Sequence, residues 1–374
     1  MSGRLNRMVF QVPLINKTMN KLGVELEYYP KLSDEELQTA VETIEKNKSH
    51  WDDPFFMDVY AHSDLSHFKE VVAPFQKDEN LKNLIVIGTG GSYQTMKALE
   101  LLSEKKIHFL TSSRPYELNK ALAETSKEDS LVIPISRGGK TLDVNSILPL
   151  FSDYKMLALS SRGPMNDLVK ELGATILPVP DLSGRFAASV CSVALIPALL
   201  ANIDVEAFQK GLEDGYNELS NLDNVNLEGN LALNYSAYLQ KLWEKGYRNV
   251  FSMPYSIWLE GLTGLFVQEI SESSGKEGKG FLGTSQEAPL CQHSVLELLL
   301  GGSKGHTTPL LWTLEQDPDD RGLEKFKGMK TDLSGQTAQS VINYQLDATF
   351  EALLKQKVPC AKVSVEEINA YSYG

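Results

Sequence analysis

The feature of this sequence that most constrains its fold is a series of short apolar runs separated by amphipathic stretches. The five runs occupy residues 84–87, 107–110, 131–135, 156–159 and 175–179. Each run has the length of a buried strand, and each gap has room for a helix. Strands that alternate with helices form a parallel sheet covered on both faces, so the pattern predicts an α/β domain of three layers, αβα.

A second, weaker series of the same kind follows later in the chain. Its apolar runs lie at 249–253, 309–313 and 361–365, and helical patterns lie at 258–272, 294–300 and 337–356. The stretch between the two series is helical in pattern, and the residues before the first series are predicted to form a helical covering segment. We therefore predict an α/β fold with two parallel-sheet subdomains and an N-terminal helical segment, divided at residues 1–80, 81–204 and 205–374.

Composition and charge limit the partners of the chain. Its 374 residues carry 36 Lys and Arg against 49 Asp and Glu, a formal net charge of -13 that repels nucleic acid and anionic membranes. The most apolar stretch, residues 190–203, is too short to span a bilayer, and the N-terminus lacks the pattern of a secretory signal. Three widely separated cysteines favour buried thiols in a reducing compartment; they are Cys191, Cys291 and Cys360. We predict a cytoplasmic protein that binds neither nucleic acid nor membrane.

Residues 87–92, with the sequence IGTGGS, follow a predicted strand and open a predicted helix. Glycines at this point let backbone amides approach an anion at the helix N-terminus. The third glycine of a dinucleotide fingerprint is missing, because Tyr93 stands in its place. The motif disfavours nucleotide binding and leaves two readings open, an anion site or a tight turn without a ligand.

Residues 136–141, with the sequence SRGGKT, form a second turn of this kind after the run at 131–135. The turn combines hydroxyl groups, two cations and flexible backbone, which are the groups that a phosphate monoester needs. On its own it also fits a capped surface turn with solvated charges. Two such turns after strands of one sheet favour phosphate.

Together with four later segments, these turns resemble the glucose-6-phosphate isomerase family, whose fold is the sugar-isomerase fold. The similar segments, in chain order, are 87–92, 136–141, 181–186 (DLSGRF), 272–276 (ESSGK), 292–294 (QHS) and, more faintly, 369–374 (NAYSYG). The resemblance implies an enzyme of glycolysis and gluconeogenesis that interconverts glucose 6-phosphate and fructose 6-phosphate. It also implies a homodimer with the active site between two subdomains and close to the partner subunit.

Aldose–ketose isomerisation moves a proton between adjacent carbons and needs a carboxylate base beside the carbon acid. The resemblance assigns this role to Glu272; without the surrounding motif, Glu272 reads as a solvated acid at a helix end. Arg185 is implied to stabilise the enediolate, with surface pairing to Asp181 or Glu277 as the alternative. His293 is implied to assist ring opening from the neighbouring subunit, although a lone histidine is more often structural.

The remaining predicted contacts bind substrate. Gln268 lies four residues before Glu272 on the same helical face, within reach of a sugar hydroxyl. The substrate-binding residues are predicted to be Gly91, Ser92, Ser136, Arg137, Lys140, Thr141, Gly184 and Gln268. The other histidines have no metal-ligand spacing, and the mechanism needs no metal or cofactor.

Four departures from the family keep other functions open. Gly138 stands where the family usually has a hydroxyl residue, and Lys140 stands where it has a small polar residue. Tyr373 stands where the family has an active-site Gln, and the family's final helix with its Lys is absent. The main alternative is therefore a sugar-phosphate-binding protein with little or no turnover. An isomerase of amino sugar phosphates is a third possibility, and a dehydrogenase is the least favoured.

Overall fold

The structure is a computed structural model that describes residues 14–50, 58–182, 186–223, 227–324, 328 and 333–374. The chain divides into two compact units, each built from three separate segments. The hairpin unit comprises Met1–Lys46, Asn221–Leu259 and Glu277–Glu367. The cleft unit comprises Asn47–Ser220, Glu260–Lys276 and Ile368–Gly374.

The described helices are α1 (Asp34–Asn47), α2 (Leu65–Gln76), α3 (Gly91–Leu99), α4 (Pro115–Glu124), α5 (Leu142–Ile147), α6 (Pro164–Glu171), α7 (Ser192–Leu200), α8 (Val205–Leu219), α9 (Leu231–Glu244), α10 (Ile257–Ser274), α11 (Val295–Gly301), α12 (Ala338–Lys355) and α13 (Ala370–Tyr373). The strands are β1 (Asn16–Met19), β2 (Val24–Tyr29), β3 (Asn83–Ile87), β4 (Lys106–Leu110), β5 (Ser130–Pro134), β6 (Lys155–Leu159), β7 (Thr175–Leu177), β8 (Asn249–Pro254), β9 (Leu282–Ser285), β10 (Thr307–Gln316) and β11 (Cys360–Glu367). Short 3₁₀ turns lie at Lys48–His50, Glu100–Leu102, Leu148–Phe151, Phe186–Val190, Leu290–His293 and Lys304–His306. Among the described helices, none is long and apolar enough to cross a membrane.

The cleft unit contains a five-stranded parallel sheet with the order β4-β3-β5-β6-β7. Strand β3 is buried along its whole length, with Leu84 and Val86 in the core on one face and Ile85 and Ile87 in the core on the other. This burial on both faces explains the continuous apolar runs in the sequence. The predicted α/β architecture with helices on both faces is confirmed.

The sheet order places two loops at one crevice. The chain leaves β3 toward β4 on one side and returns to β5 on the other side of β3. In open parallel sheets, ligands bind outside the carboxyl ends of the strands where the order reverses in this way. The loops after β3 and β5 are the two predicted phosphate turns, so the topology brings them to the same edge of the sheet.

The hairpin unit contains a six-stranded mixed sheet with the order β1-β2-β11-β10-β8-β9. Strands β8 to β11 run parallel, as the second series of apolar runs predicts, and β2 pairs antiparallel with both β1 and β11. The N-terminal residues therefore contribute a β-hairpin in addition to the predicted helices. Its turn is held by Asn20, whose side chain accepts from the amides of Leu22 and Val24 at 3.0 and 2.9 Å. Gly23 allows the turn because its φ is 78°.

The two units do not follow the predicted boundaries at residues 80 and 204. Helix α8, most of α10 and helix α13 belong to the cleft unit. Close backbone contacts explain part of this arrangement: a Cβ at Gly211 of α8 would lie 2.0 Å from the carbonyl oxygen of Tyr371 in α13. Such contacts join residues more than 150 positions apart in the sequence. Local sequence patterns therefore cannot predict them.

Candidate active site

The turn after β5 is shaped by its glycines and hydroxyl groups. Gly139 has a φ of 63°, and its amide donates to the carbonyl oxygen of Ser136 at 3.0 Å. The hydroxyl groups of Ser136 and Thr141 lie 2.9 Å apart, so the two ends of the turn face each other. The turn therefore presents two hydroxyls on one short loop, with Lys140 exposed beside them.

The loop before α6 packs against this turn through backbone contacts that leave no room for a side chain at two glycines. A Cβ at Gly139 would lie 2.1 Å from the carbonyl oxygen of Arg162, and one at Gly163 would lie 2.3 Å from that of Gly138. The carbonyl oxygen of Gly139 also accepts from the side-chain amide of Asn145 at 3.0 Å. These contacts fix the position of the turn.

The turn after β3 leads directly into α3, a helix of nine residues. Gly90 precedes the helix with a φ of 59°, and no side chain caps the helix N-terminus. The first amides of a helix have no partner within it and attract anions. Gly88 allows the first turn of α3 to lie close to the end of β3, because a Cβ at Gly88 would lie 3.1 Å from the Cβ of Ser92.

Helix α10 brings the predicted base to the same unit. It packs tightly on α3, since a Cβ at Gly261 would lie 2.4 Å from the carbonyl oxygen of Lys97. Two turns further along, the side-chain amide of Gln268 donates to Oε2 of Glu272 at 3.2 Å. The i, i+4 spacing on one helical face, visible in the sequence, thus orients the carboxylate of Glu272.

Residues of both turns and Glu272 of α10 line a cleft of about 810 Å³ in the cleft unit. It is lined by Thr89, Gly91, Ser92, Ile135, Ser136, Arg137, Gly138, Lys140, Thr141, Val179, Pro180, Leu182, Ala188, Cys191, Val193, Glu272, Ser273 and Lys276. Three cations and one carboxylate stand in this lining, which suits an anionic ligand.

One of the three cations is held in place by the chain. The guanidinium of Arg137 lies 2.8 Å from a carboxylate oxygen of Asp181 and donates to the carbonyl oxygen of Leu182 at 3.0 Å. These contacts neutralise part of its charge. Lys140 and Lys276 are exposed, and they carry the remaining positive charge of the lining.

The structure brings together most of the predicted site residues. Seven of them line the cleft, namely Gly91, Ser92, Ser136, Arg137, Lys140, Thr141 and Glu272, and Gln268 contacts Glu272. Gly184 and Arg185 lie outside the described residues. His293 is exposed at the end of a 3₁₀ turn in the hairpin unit. The catalytic and binding roles of all these residues remain predictions.

Glu269 and Cys191, which lie near the site, were not among the predicted site residues. Glu269 lies on α10 beside Glu272, and burial together with the charge of Glu272 raises its pKa to about 7. The sequence feature that could have pointed to Glu269 is its position three residues before Glu272, which puts both acids on one helical face. Cys191 lines the cleft, but burial raises its pKa to about 11, so it stays a thiol at neutral pH.

Comparison with known proteins supports the resemblance seen in the sequence. No family model matches the chain. A probable glucose-6-phosphate isomerase of Haloarcula marismortui is 26% identical over 363 residues, which are 91% of this chain and 80% of the relative. A glucose-6-phosphate isomerase of Campylobacter jejuni is 23% identical over 346 residues, 83% of this chain and 80% of the relative. The chain is similar to glucose-6-phosphate isomerases over most of its length.

A solved structure shows the same fold. The crystal structure of a glucose-6-phosphate isomerase from Chlamydia trachomatis superimposes with a TM-score of 0.75 and 18% identity, over 96% of this chain and 82% of that chain. The predicted resemblance to the glucose-6-phosphate isomerase family is confirmed.

Proposed function

We propose that this chain is an aldose–ketose isomerase that interconverts glucose 6-phosphate and fructose 6-phosphate. The observation that carries the proposal is that the turn at residues 136–141 and the carboxylate of Glu272 line one cleft. A phosphate site and a carboxylate in a single cleft are what proton transfer on a phosphorylated sugar requires. The likeness to proteins named glucose-6-phosphate isomerase supports the choice of substrate.

The phosphate end of the substrate binds at the two turns. The hydroxyls of Ser136 and Thr141 donate to phosphate oxygens from one side, and the first amides of α3 donate from the other. Lys140 adds a charge that a dianionic monoester needs. The part of the cleft that Glu272 and Ser273 line receives the sugar carbons.

The chemical step is a proton transfer by Glu272. Its carboxylate takes the proton from carbon 2 of open-chain glucose 6-phosphate, and the electrons move to the carbonyl oxygen on carbon 1 to give an enediol or enediolate. Glu272 returns the proton to carbon 1, while the hydroxyl proton on the carbon 2 oxygen passes to the oxygen on carbon 1. Carbon 1 then carries a hydroxyl group and carbon 2 carries the ketone of fructose 6-phosphate. Gln268 orients this carboxylate through the hydrogen bond from its side-chain amide to Oε2 of Glu272.

Two further groups complete the proposed mechanism. Arg185 stabilises the negative oxygen of the enediolate, and His293 of a partner subunit moves the proton that opens the sugar ring. This assignment makes the active protein a homodimer. The three cysteines are free and buried, which supports a reducing compartment such as the cytoplasm, where glycolysis and gluconeogenesis run.

The proposal is tested by the turnover of fructose 6-phosphate in the purified wild type, in Glu272→Gln and in the control Glu171→Gln. Glu171 is exposed at the end of α6, so its substitution makes the same chemical change away from the cleft. We expect Glu272→Gln to lose about 10³-fold in kcat, since general base catalysis contributes about 10² to 10⁴. Its affinity for the substrate, measured by calorimetry, changes only a few-fold.

Two results would contradict this assignment. Full activity of Glu272→Gln would show that another group moves the proton. Binding of fructose 6-phosphate by the wild type without any turnover would favour the alternative of a non-catalytic sugar-phosphate-binding protein.

A further inference from the structure

A second carboxyl group lies beside the proposed base. Glu269 and Glu272 are three residues apart on α10, a spacing that puts both side chains on one face of the helix with about 5–6 Å between their Cβ atoms. Glu269 is half-buried, and its Oε1 is inaccessible to solvent and has no hydrogen-bond partner in the described part of the chain. A carboxyl group in such surroundings is held by no donor that would favour its charged form.

Among the residues that the structure describes, no cation forms a salt bridge with Glu269. Helix α3, which packs on α10 at Gly261, contributes Lys97 and Glu100, and these two pair with each other. Besides burial, the charge of Glu272 shifts the pKa of Glu269. Burial and this like charge raise the pKa of Glu269 to about 7. Glu269 is therefore neutral in mild acid and becomes an anion as the pH passes neutrality.

We propose that Glu269 is a positioning residue for the isomerase, one that sets the charge beside Glu272 according to pH. The inference rests on the proposed function. While Glu269 is protonated, it adds no negative charge beside Glu272. Once Glu269 ionises, its charge favours transfer of the substrate proton to Glu272 and at the same time repels the dianionic phosphate.

These two effects act on different kinetic constants. A like charge at this distance promotes proton transfer by on the order of threefold, so kcat rises as the pH passes about 7. Repulsion of the phosphate raises KM over the same range. In an isomerase without the second carboxyl group, neither the step in kcat nor the step in KM would appear near pH 7. The signature is a paired change in kcat and KM that a purely structural residue would not produce.

The test is the pH dependence of kcat and KM from pH 5.5 to 9 for the wild type, Glu269→Gln and Glu269→Asp. We expect the wild type to show both steps near pH 7, Glu269→Gln to lose both, and Glu269→Asp to keep them because it keeps the charge. Steps that persist in Glu269→Gln, or that are missing from the wild type, would overturn the inference while the proposed function stands. A wild type without turnover would overturn both.

A second measurement does not depend on turnover. A carboxyl group whose pKa is raised in the folded state is deprotonated more easily in the unfolded chain, so it destabilises the fold progressively as the pH rises from about 4.5 to about 7. Removing it should therefore raise Tm more at pH 8 than at pH 5. An equal Tm change for Glu269→Gln at both pH values would contradict the assigned charge states.

Discussion

At the residue scale, the site depends on a few polar atoms held at short distances. Ser136 is buried, and its hydroxyl lies 2.9 Å from that of Thr141 at the mouth of the cleft. A hydroxyl in this position is already oriented when the ligand arrives. Preorganisation of this kind reduces the entropy lost on binding, so each hydroxyl should contribute measurably to phosphate affinity.

We predict that Ser136→Ala weakens binding of fructose 6-phosphate about 10- to 150-fold, because a hydrogen bond to a charged group contributes about 1.5–3 kcal/mol. The control is Ser146→Ala, since Ser146 is exposed on α5 and lies outside the lining of the cleft. Calorimetric titration of both variants measures the effect. Equal affinities for the two variants would remove Ser136 from the phosphate site.

The sequence predicted much of this site because its chemistry is local. Each phosphate turn is a short continuous segment, and Gln268 and Glu272 share one helical turn, so their neighbourhoods can be worked out from spacing alone. The sequence did not single out Glu269, because an acid on a helix is usually solvated. Its burial depends on packing between distant segments, and that packing also creates its unusual pKa.

At the element scale, the loop after β5 and the loop before α6 approach each other through backbone atoms. Gly139 has a φ of 63°. A Cβ at this position would also lie 2.1 Å from the carbonyl oxygen of Arg162. Gly138, the adjacent residue, has open space around its missing Cβ. The two glycines therefore have different structural roles despite being neighbours in the sequence.

We predict that Gly139→Ala lowers the free energy of unfolding by at least about 2 kcal/mol, through backbone strain and the displaced loop. Gly138→Ala should change it by no more than about 0.5 kcal/mol. Urea denaturation followed by circular dichroism compares the two variants. Equal free energies of unfolding for the two variants would mean that the loops can move apart at no cost in stability, and would contradict the prediction.

Several elements could be predicted from the sequence, and the exceptions have a common cause. The strands of the cleft unit are continuous apolar runs because both of their faces are covered. Strand β9, with the sequence LGTS, and the hairpin of β1 and β2 lack such runs. They lie at the edges of the mixed sheet, where pairing with a distant strand decides their conformation.

At the scale of the whole molecule, the proposed mechanism joins residues from two copies of the chain. Glu272 of one subunit and His293 of its partner would serve the same sugar. This arrangement makes a prediction about mixtures of inactive variants, because two defects in different subunits leave one site of a mixed dimer intact.

We predict that Glu272→Gln and His293→Gln, each nearly inactive alone, recover about a quarter of wild-type activity when their subunits are mixed and reassociated at random. Half of the dimers are then mixed, and each has one complete site. Unmixed variants at the same concentration are the control. No recovery, with subunit exchange verified by mass spectrometry, would place both residues in one subunit's site or remove His293 from it.

The central claim is that the carboxylate of Glu272 moves a proton on a sugar whose phosphate is held by the turn at 136–141. The most direct measurement is deuterium incorporation at carbon 2 of glucose 6-phosphate formed from fructose 6-phosphate in D₂O, followed by NMR. We expect incorporation with the wild type and none above background with Glu272→Gln. Product formed by the wild type without any deuterium at carbon 2, or equal labelling by Glu272→Gln, would contradict the claim.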